Sequence, residues 1–110
     1  MIFIVVKFHT KPEWTDRFPD FVKDFTAGTR AEEGNLFFEW SRSLDEPDTY
    51  VLVEGFRDAA AGAVHCSTEH FHKAVAEIPR ALSRTPDIIS QSIEATGWSE
   101  MAEMKVPAAA

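Results

Sequence analysis

Residues 34–71 read GNLFFEWSRSLDEPDTYVLVEGFRDAAAGAVHCSTEHF. Within this stretch Leu36, Phe38 and Trp40 alternate with Phe37, Glu39 and Ser41, and Tyr50, Leu52, Glu54 and Phe56 alternate with Val51, Val53 and Gly55. Alternate side chains of a strand point to opposite faces, so both runs are predicted strands with apolar residues on both sides. Such strands need cover on both faces. Between them Leu44-Asp45-Glu46-Pro47-Asp48 has turn chemistry, which makes the pair an antiparallel hairpin with a loop longer than the tightest type.

Outward from the hairpin, Ile2, Ile4, Val6 and Phe8 alternate with Phe3, Val5, Lys7 and His9 and predict a first strand. Thr10 is the expected cap of a first helix, with Pro12 and Glu13 in its first turn. Trp14, Phe18, Phe21, Val22, Phe25 and Thr29 recur at helical steps and form one apolar stripe, read as core. Pro19 falls inside that pattern and should distort or divide the helix. Gly34 is the expected left-handed cap at its end.

Past the hairpin, Asp58 can cap a short helix over Ala59–Val64. His65-Cys66 then interrupts, and Ser67 can start a second helix with the stripe Phe71, Ala74, Val75, Ile78 and Leu82. Pro86 stops it, and Ile88, Ile89 and Ile93 predict a last strand. The order is βαββαβ, an α+β, ferredoxin-like plan in one domain over 1–98 with a tail over 99–110. Helices on one sheet face leave the other an apolar patch, which a symmetric homodimer would cover.

The 110 residues carry a net charge of −7 and are 45% hydrophobic. That is a globular composition without a basic footprint for nucleic acid. The apolar start is too short to span a membrane and lacks the marks of a signal peptide. One cysteine, Cys66, excludes an intrachain disulfide and fits a reducing, cytoplasmic setting. Phosphate-cradling glycine loops, the Rossmann fingerprint, the nucleophile elbow and C-x-x-C are all missing.

His65 is the most informative titratable residue, because imidazole can accept a proton near neutrality. A histidine at this junction either does so or simply bonds the helix break. His70 and His72 read as partly exposed helix positions, and the histidine spacing does not match a helical zinc motif, so no metal is expected. Glu54, mid-strand between apolar residues, needs a partner such as Arg42 or His65. Trp40 and Phe56 suit a flat ligand or the sheet core.

The runs GNLFFEW, DEP, VEGFRD and HCSTEHF, in this order, resemble the antibiotic-biosynthesis-monooxygenase domain family, particularly its small bacterial quinol monooxygenases. The resemblance spans Ile2 to Trp98. It implies a dimeric α+β barrel with a ligand cavity between sheet and helices of each subunit. It also implies oxidation of a small aromatic substrate, a phenol or quinol, by molecular oxygen without metal, flavin or haem. His65 falls at the family's helix-break histidine and becomes the candidate proton acceptor. Trp40, Phe56 and Phe71 would line the pocket, and Arg42 or Glu54 would orient polar groups. Phe56 stands where many relatives carry tryptophan. A haem-degrading branch of the superfamily has its axial histidine at the position of Val75, which makes haem the weaker alternative. A dimeric binding module for a small aromatic metabolite is the non-catalytic alternative.

Overall fold

The computed structural model describes residues 1–109. Four strands, β1 (Ile2–His9), β2 (Asn35–Arg42), β3 (Thr49–Phe56) and β4 (Asp87–Ser92), form one antiparallel sheet in the order β2-β3-β1-β4. This is the α+β, ferredoxin-like arrangement expected from the element order. In the register, Ile4, Val6 and Phe8 of β1 lie opposite Glu54, Leu52 and Tyr50 of β3. Those residues share one face with Phe38 and Trp40 of β2. The helices pack on that face and bury Val6, Phe8, Phe38, Tyr50 and Leu52.

The first helical stretch is divided into three: α1 (Pro12–Thr15), α2 (Phe18–Phe21) and α3 (Lys23–Arg30). Pro12 and Pro19 each sit in a first turn. A missing backbone N–H costs nothing there, because no intrahelical carbonyl awaits it. The apolar stripe survives the division. Phe18 is 0% exposed and meets Tyr50, Trp40 and Phe8 at ring-centroid distances of 5.0, 5.7 and 6.0 Å. Thr10 is not the helix cap. Lys11 occupies that position without a side-chain bond, while Thr10 Oγ1 lies 2.6 Å from Thr15 Oγ1 and donates to the Asp48 carbonyl at 3.1 Å. It ties the helix start to the hairpin loop instead.

Gly34 also departs from expectation, for it does not adopt a positive φ. Its missing side chain permits close approach. A Cβ there would lie 2.4 Å from Ala61 Cβ. The start of β2 and the helix α4 (Ala59–Ser67) therefore touch through glycine and alanine. Gly34→Ala is expected to destabilise the fold by about 1–3 kcal/mol through overpacking. Adding Ala61→Gly should return part of the loss in a urea midpoint measurement, and a midpoint unmoved by Gly34→Ala would refute the contact.

The helix expected to stop at Val64 runs on through Ser67. The break falls at Thr68, whose extended backbone and side chain suit it better than His65-Cys66. Thr68 Oγ1 accepts from the Phe71 amide at 3.2 Å, capping α5 (Glu69–Glu77), and donates to the His65 carbonyl at 2.8 Å. Asp58 caps α4 as expected, its Oδ1 accepting from the Ala61 amide at 2.8 Å. A 3₁₀ turn over Ile78–Ala81 follows α5. The last strand ends at Ser92, one residue short of Ile93, whose backbone instead pairs with Met1.

The opposite sheet face carries Phe3, Val5, Val53, Phe37 and Ile89 at matching register positions. Trp98, beyond the last strand, packs its ring against Phe37 at a centroid distance of 5.3 Å. Among the described residues, no helix is long and apolar enough to cross a membrane.

Candidate active site

Between the sheet and the α4–α5 layer lies a cavity of about 460 Å³. Ile4, Val6, Phe8, Leu52 and Ile88 line it from the sheet, and Phe71, Ala74, Val75 and Ile78 from the helical side. The walls are overwhelmingly apolar, and the two buried ionisable groups among them are Glu54 and His65. An apolar cleft with a few convergent polar groups is the usual form of a small-molecule site.

Glu54 reaches the cavity because the pleat of β3 turns it to the same face as Leu52 and Phe56. It is 6% exposed. Burial, followed by the negative charge of Glu32, pushes its carboxyl from the ordinary 4.5 up to about 7. A carboxyl with a raised value in the folded state binds more protons folded than unfolded. Its contribution to stability is therefore fully present below about 4.5 and is lost as pH rises through 7. Glu54→Gln should remove that loss. At pH 8 the variant is expected to exceed the parent by about 1–3 kcal/mol, and at pH 4.5 the two should nearly coincide. Urea denaturation at both pH values checks this, and equal stabilities at pH 8 would contradict a buried, raised Glu54.

His65 sits in the last turn of α4, 4% exposed. Its ring packs against Phe56 at 4.8 Å, Phe71 at 5.0 Å and Phe25 at 6.0 Å. Nε2 lies 3.9 Å from Glu54 Oε1, a separation too long for a direct hydrogen bond. Nδ1 is 2.8 Å from Glu32 Oε2, and the same oxygen lies 2.6 Å from His70 Nε2. Glu32 comes from the turn after α3. The other carboxylate oxygen, Oε1, is buried and has no hydrogen-bond partner among the described residues. Gly28 of α3 lets the His70 ring in, since a Cβ there would lie 2.8 Å from His70 Cγ.

The structure thus brings together His65, Glu54 and Phe71 among the residues singled out from sequence. Phe56 lies behind His65, 0% exposed, and supports its ring without lining the cavity. Trp40 faces elsewhere. It donates from Nε1 to Thr26 Oγ1 at 2.8 Å and lines a second cleft of about 440 Å³ with Arg42, Tyr50 and Phe18. Arg42 does not serve Glu54, because its Nε donates to the Pro47 carbonyl at 3.0 Å and its Nη1 meets Asp16 at 3.4 Å. Glu32 was not singled out, and His70 reads from sequence only as a partly exposed helix position, which it is, with its side chain 26% exposed. Glu32 lies in an irregular turn, and His70 lies past the helix break, so no periodic spacing joins either to His65.

Cys66 also borders the cavity. Partial burial, then the charges of Glu54 and Glu32, push its thiol up, which disfavours a thiolate nucleophile beside His65. Glu32, His65 and His70 each offer a ligand atom, all within 4.8 Å of one another. The two contacts that join them have hydrogen-bond lengths, and an ion would have to displace both. Val75, at the position implied for a haem ligand, lines the cavity with no coordinating atom.

Fold and cavity together describe a small α+β protein with an apolar cavity whose wall carries a buried carboxyl and a buried imidazole. Residues 1–77 match the family described as antibiotic biosynthesis monooxygenase, and the chain belongs to it. It is 32% identical over 89 residues to "Putative monooxygenase YcnE" of Bacillus subtilis (strain 168), covering 81% of this chain and 94% of that protein. Two solved structures share the fold. One, titled as an antibiotic biosynthesis monooxygenase, has a TM-score of 0.77 at 24% identity and covers 86% of this chain and 100% of its own. The other, Rv0793 from Mycobacterium tuberculosis, has a TM-score of 0.77 at 20% identity and covers 92% and 98%. Family membership supports a monooxygenase-like function in general terms.

Proposed function

We propose that the chain is a cofactor-independent monooxygenase that oxidises a small phenol or hydroquinone with molecular oxygen. The observation that carries this reading is the apolar 460 Å³ cavity with His65 Nε2 and Glu54 at its polar end. His65 accepts the phenolic proton at Nε2. The resulting phenolate is electron-rich enough to reduce oxygen directly, so the substrate supplies the electrons. A carbon–oxygen bond forms on the ring and the oxygen–oxygen bond then breaks. One atom remains as the new quinone carbonyl and the other leaves as water, taking up the ring hydrogen and the phenolic proton. For a simple phenol, phenol and oxygen yield quinone and water with atoms and electrons in balance. The protein's share is to hold the ring, keep water away from the intermediates and accept the proton.

The working unit in this reading is a homodimer. The apolar face bearing Phe3, Val5, Val53, Phe37 and Ile89 supports it, because a second copy would remove that surface from water.

Oxygen consumption by metal-stripped protein against a panel of hydroquinones and polyphenols tests the reading. Saturable uptake, with one atom of labelled oxygen in the product, is expected. Uptake no faster than autoxidation would leave a binding module for a small aromatic metabolite. A Soret band on adding hemin would favour haem chemistry.

A further inference from the structure

We infer that Glu32 is a positioning residue that fixes the tautomer of His65, holding its Nε2 as a bare acceptor toward the cavity, and that His70 anchors Glu32 in that role. A carboxylate oxygen accepts hydrogen bonds and does not donate them. Glu32 Oε2 lies 2.8 Å from His65 Nδ1 and 2.6 Å from His70 Nε2, so both ring nitrogens carry their protons toward it. A neutral imidazole with its proton on Nδ1 leaves a lone pair on Nε2. That nitrogen is the one facing Glu54.

The surroundings enforce this arrangement. Phe25, Phe56 and Phe71 pack around the His65 ring and offer no rival hydrogen-bond partner. The Glu32 side chain is 9% exposed and is absent from the cavity wall, so it acts on a bound molecule only through His65. His70, whose side chain is 26% exposed, closes the arrangement on the solvent side and keeps Glu32 Oε2 from swinging away. When His65 takes a proton at Nε2, its new positive charge lies one hydrogen bond from the Glu32 carboxylate, which stabilises the protonated ring without touching the substrate.

The kinetic part of this inference rests on the proposed oxidation, and the spectroscopic part does not. In nitrogen-15 spectra of the full chain, His65 is expected to show a protonated Nδ1 and an unprotonated Nε2. Glu32→Gln, which can present an amide donor to Nδ1, should shift His65 toward the opposite tautomer. His70→Gln should leave the tautomer in place, because a glutamine amide can still donate to Glu32. With an accepted quinol, Glu32→Gln should lower kcat about a hundredfold with KM within about threefold. Glu32→Asp should recover part of the rate.

A protonated Nε2 on His65 in the parent protein overturns the inference, even if Glu32→Gln fails to fold. So does a full rate in Glu32→Gln. Tight one-to-one binding of zinc or ferrous ion that moves the His65 and His70 resonances together and raises activity also overturns it, by making the three residues a ligand set. If the parent consumes no oxygen while its His65 shows the expected tautomer, the proposed reaction fails and the positioning assignment stands.

Discussion

Oxygen uptake driven by a quinol is expected to fall about a hundredfold or more when His65 is replaced by alanine. The ring supplies the nitrogen at the polar end of the cavity, and Glu54, at 3.9 Å from it, is the other ionisable group there. A carboxyl pushed up to about 7 is itself a weak base near neutrality, so some activity should remain and should rise with pH as Glu54 ionises. The substitution also removes one of the two partners of Glu32 Oε2 and leaves a void between Phe56 and Phe71. A folding loss of about 2–4 kcal/mol should accompany it. Circular dichroism and urea denaturation separate that loss from the kinetic one, and His65→Gln, closer in volume, should keep more stability at a similarly low rate. Turnover equal to the parent in a folded His65→Ala protein would remove His65 from the chemistry.

The second large effect concerns Phe56, and it should appear in stability more than in KM. The ring is fully buried at the end of β3, opposite Ile2 and Asn35 in the ladder, with His65 stacked on it at 4.8 Å. Phe56→Ala is expected to cost about 3–5 kcal/mol, the usual range for deleting a buried aromatic ring. Phe56→Leu should lose less and should keep KM close to the parent, because the ring does not border the cavity. Phe56→Trp should cost about 1–3 kcal/mol by overpacking a filled site. A Phe56→Leu protein of unchanged stability with a much raised KM would instead make this ring a wall of the cavity.

Much of the fold was legible because its signals are periodic. The alternation in Ile2–His9, Asn35–Arg42 and Thr49–Phe56 carries the sheet, and turn residues between the last two make the hairpin. Pro19 announced the division of the first helix correctly, because its missing N–H acts locally. Positions that depend on a distant neighbour were not legible. Gly34 is glycine because Ala61 comes close, and Thr10 serves Thr15 and Asp48 before any helix end. The same limit governs the site. Glu54 stood out as a charge in an apolar strand, and His65 as the histidine near a helix break. Trp40 and Arg42 share the strand face of the site but lie further along β2, where Thr26, Pro47 and Asp16 engage them. Glu32 and His70 meet His65 only in three dimensions. No spacing rule connects residues from a turn after α3 and from two successive helices.

The strand order bears on the sequence of events as the chain is made. β2 and β3 are joined by a short loop and can pair as soon as both exist. Of the four strands β1 is made first, yet its partners are β3, which follows only after three helices and β2, and β4, the last strand of the sheet. During that interval Ile2-Phe3-Ile4-Val5-Val6 has unpaired amides on both edges and apolar side chains on both faces. Such a segment is what another nascent copy would adhere to. β1 thus depends on the last strand of the sheet to be made, and removing Asp87–Ser92 should trap growing chains as aggregates.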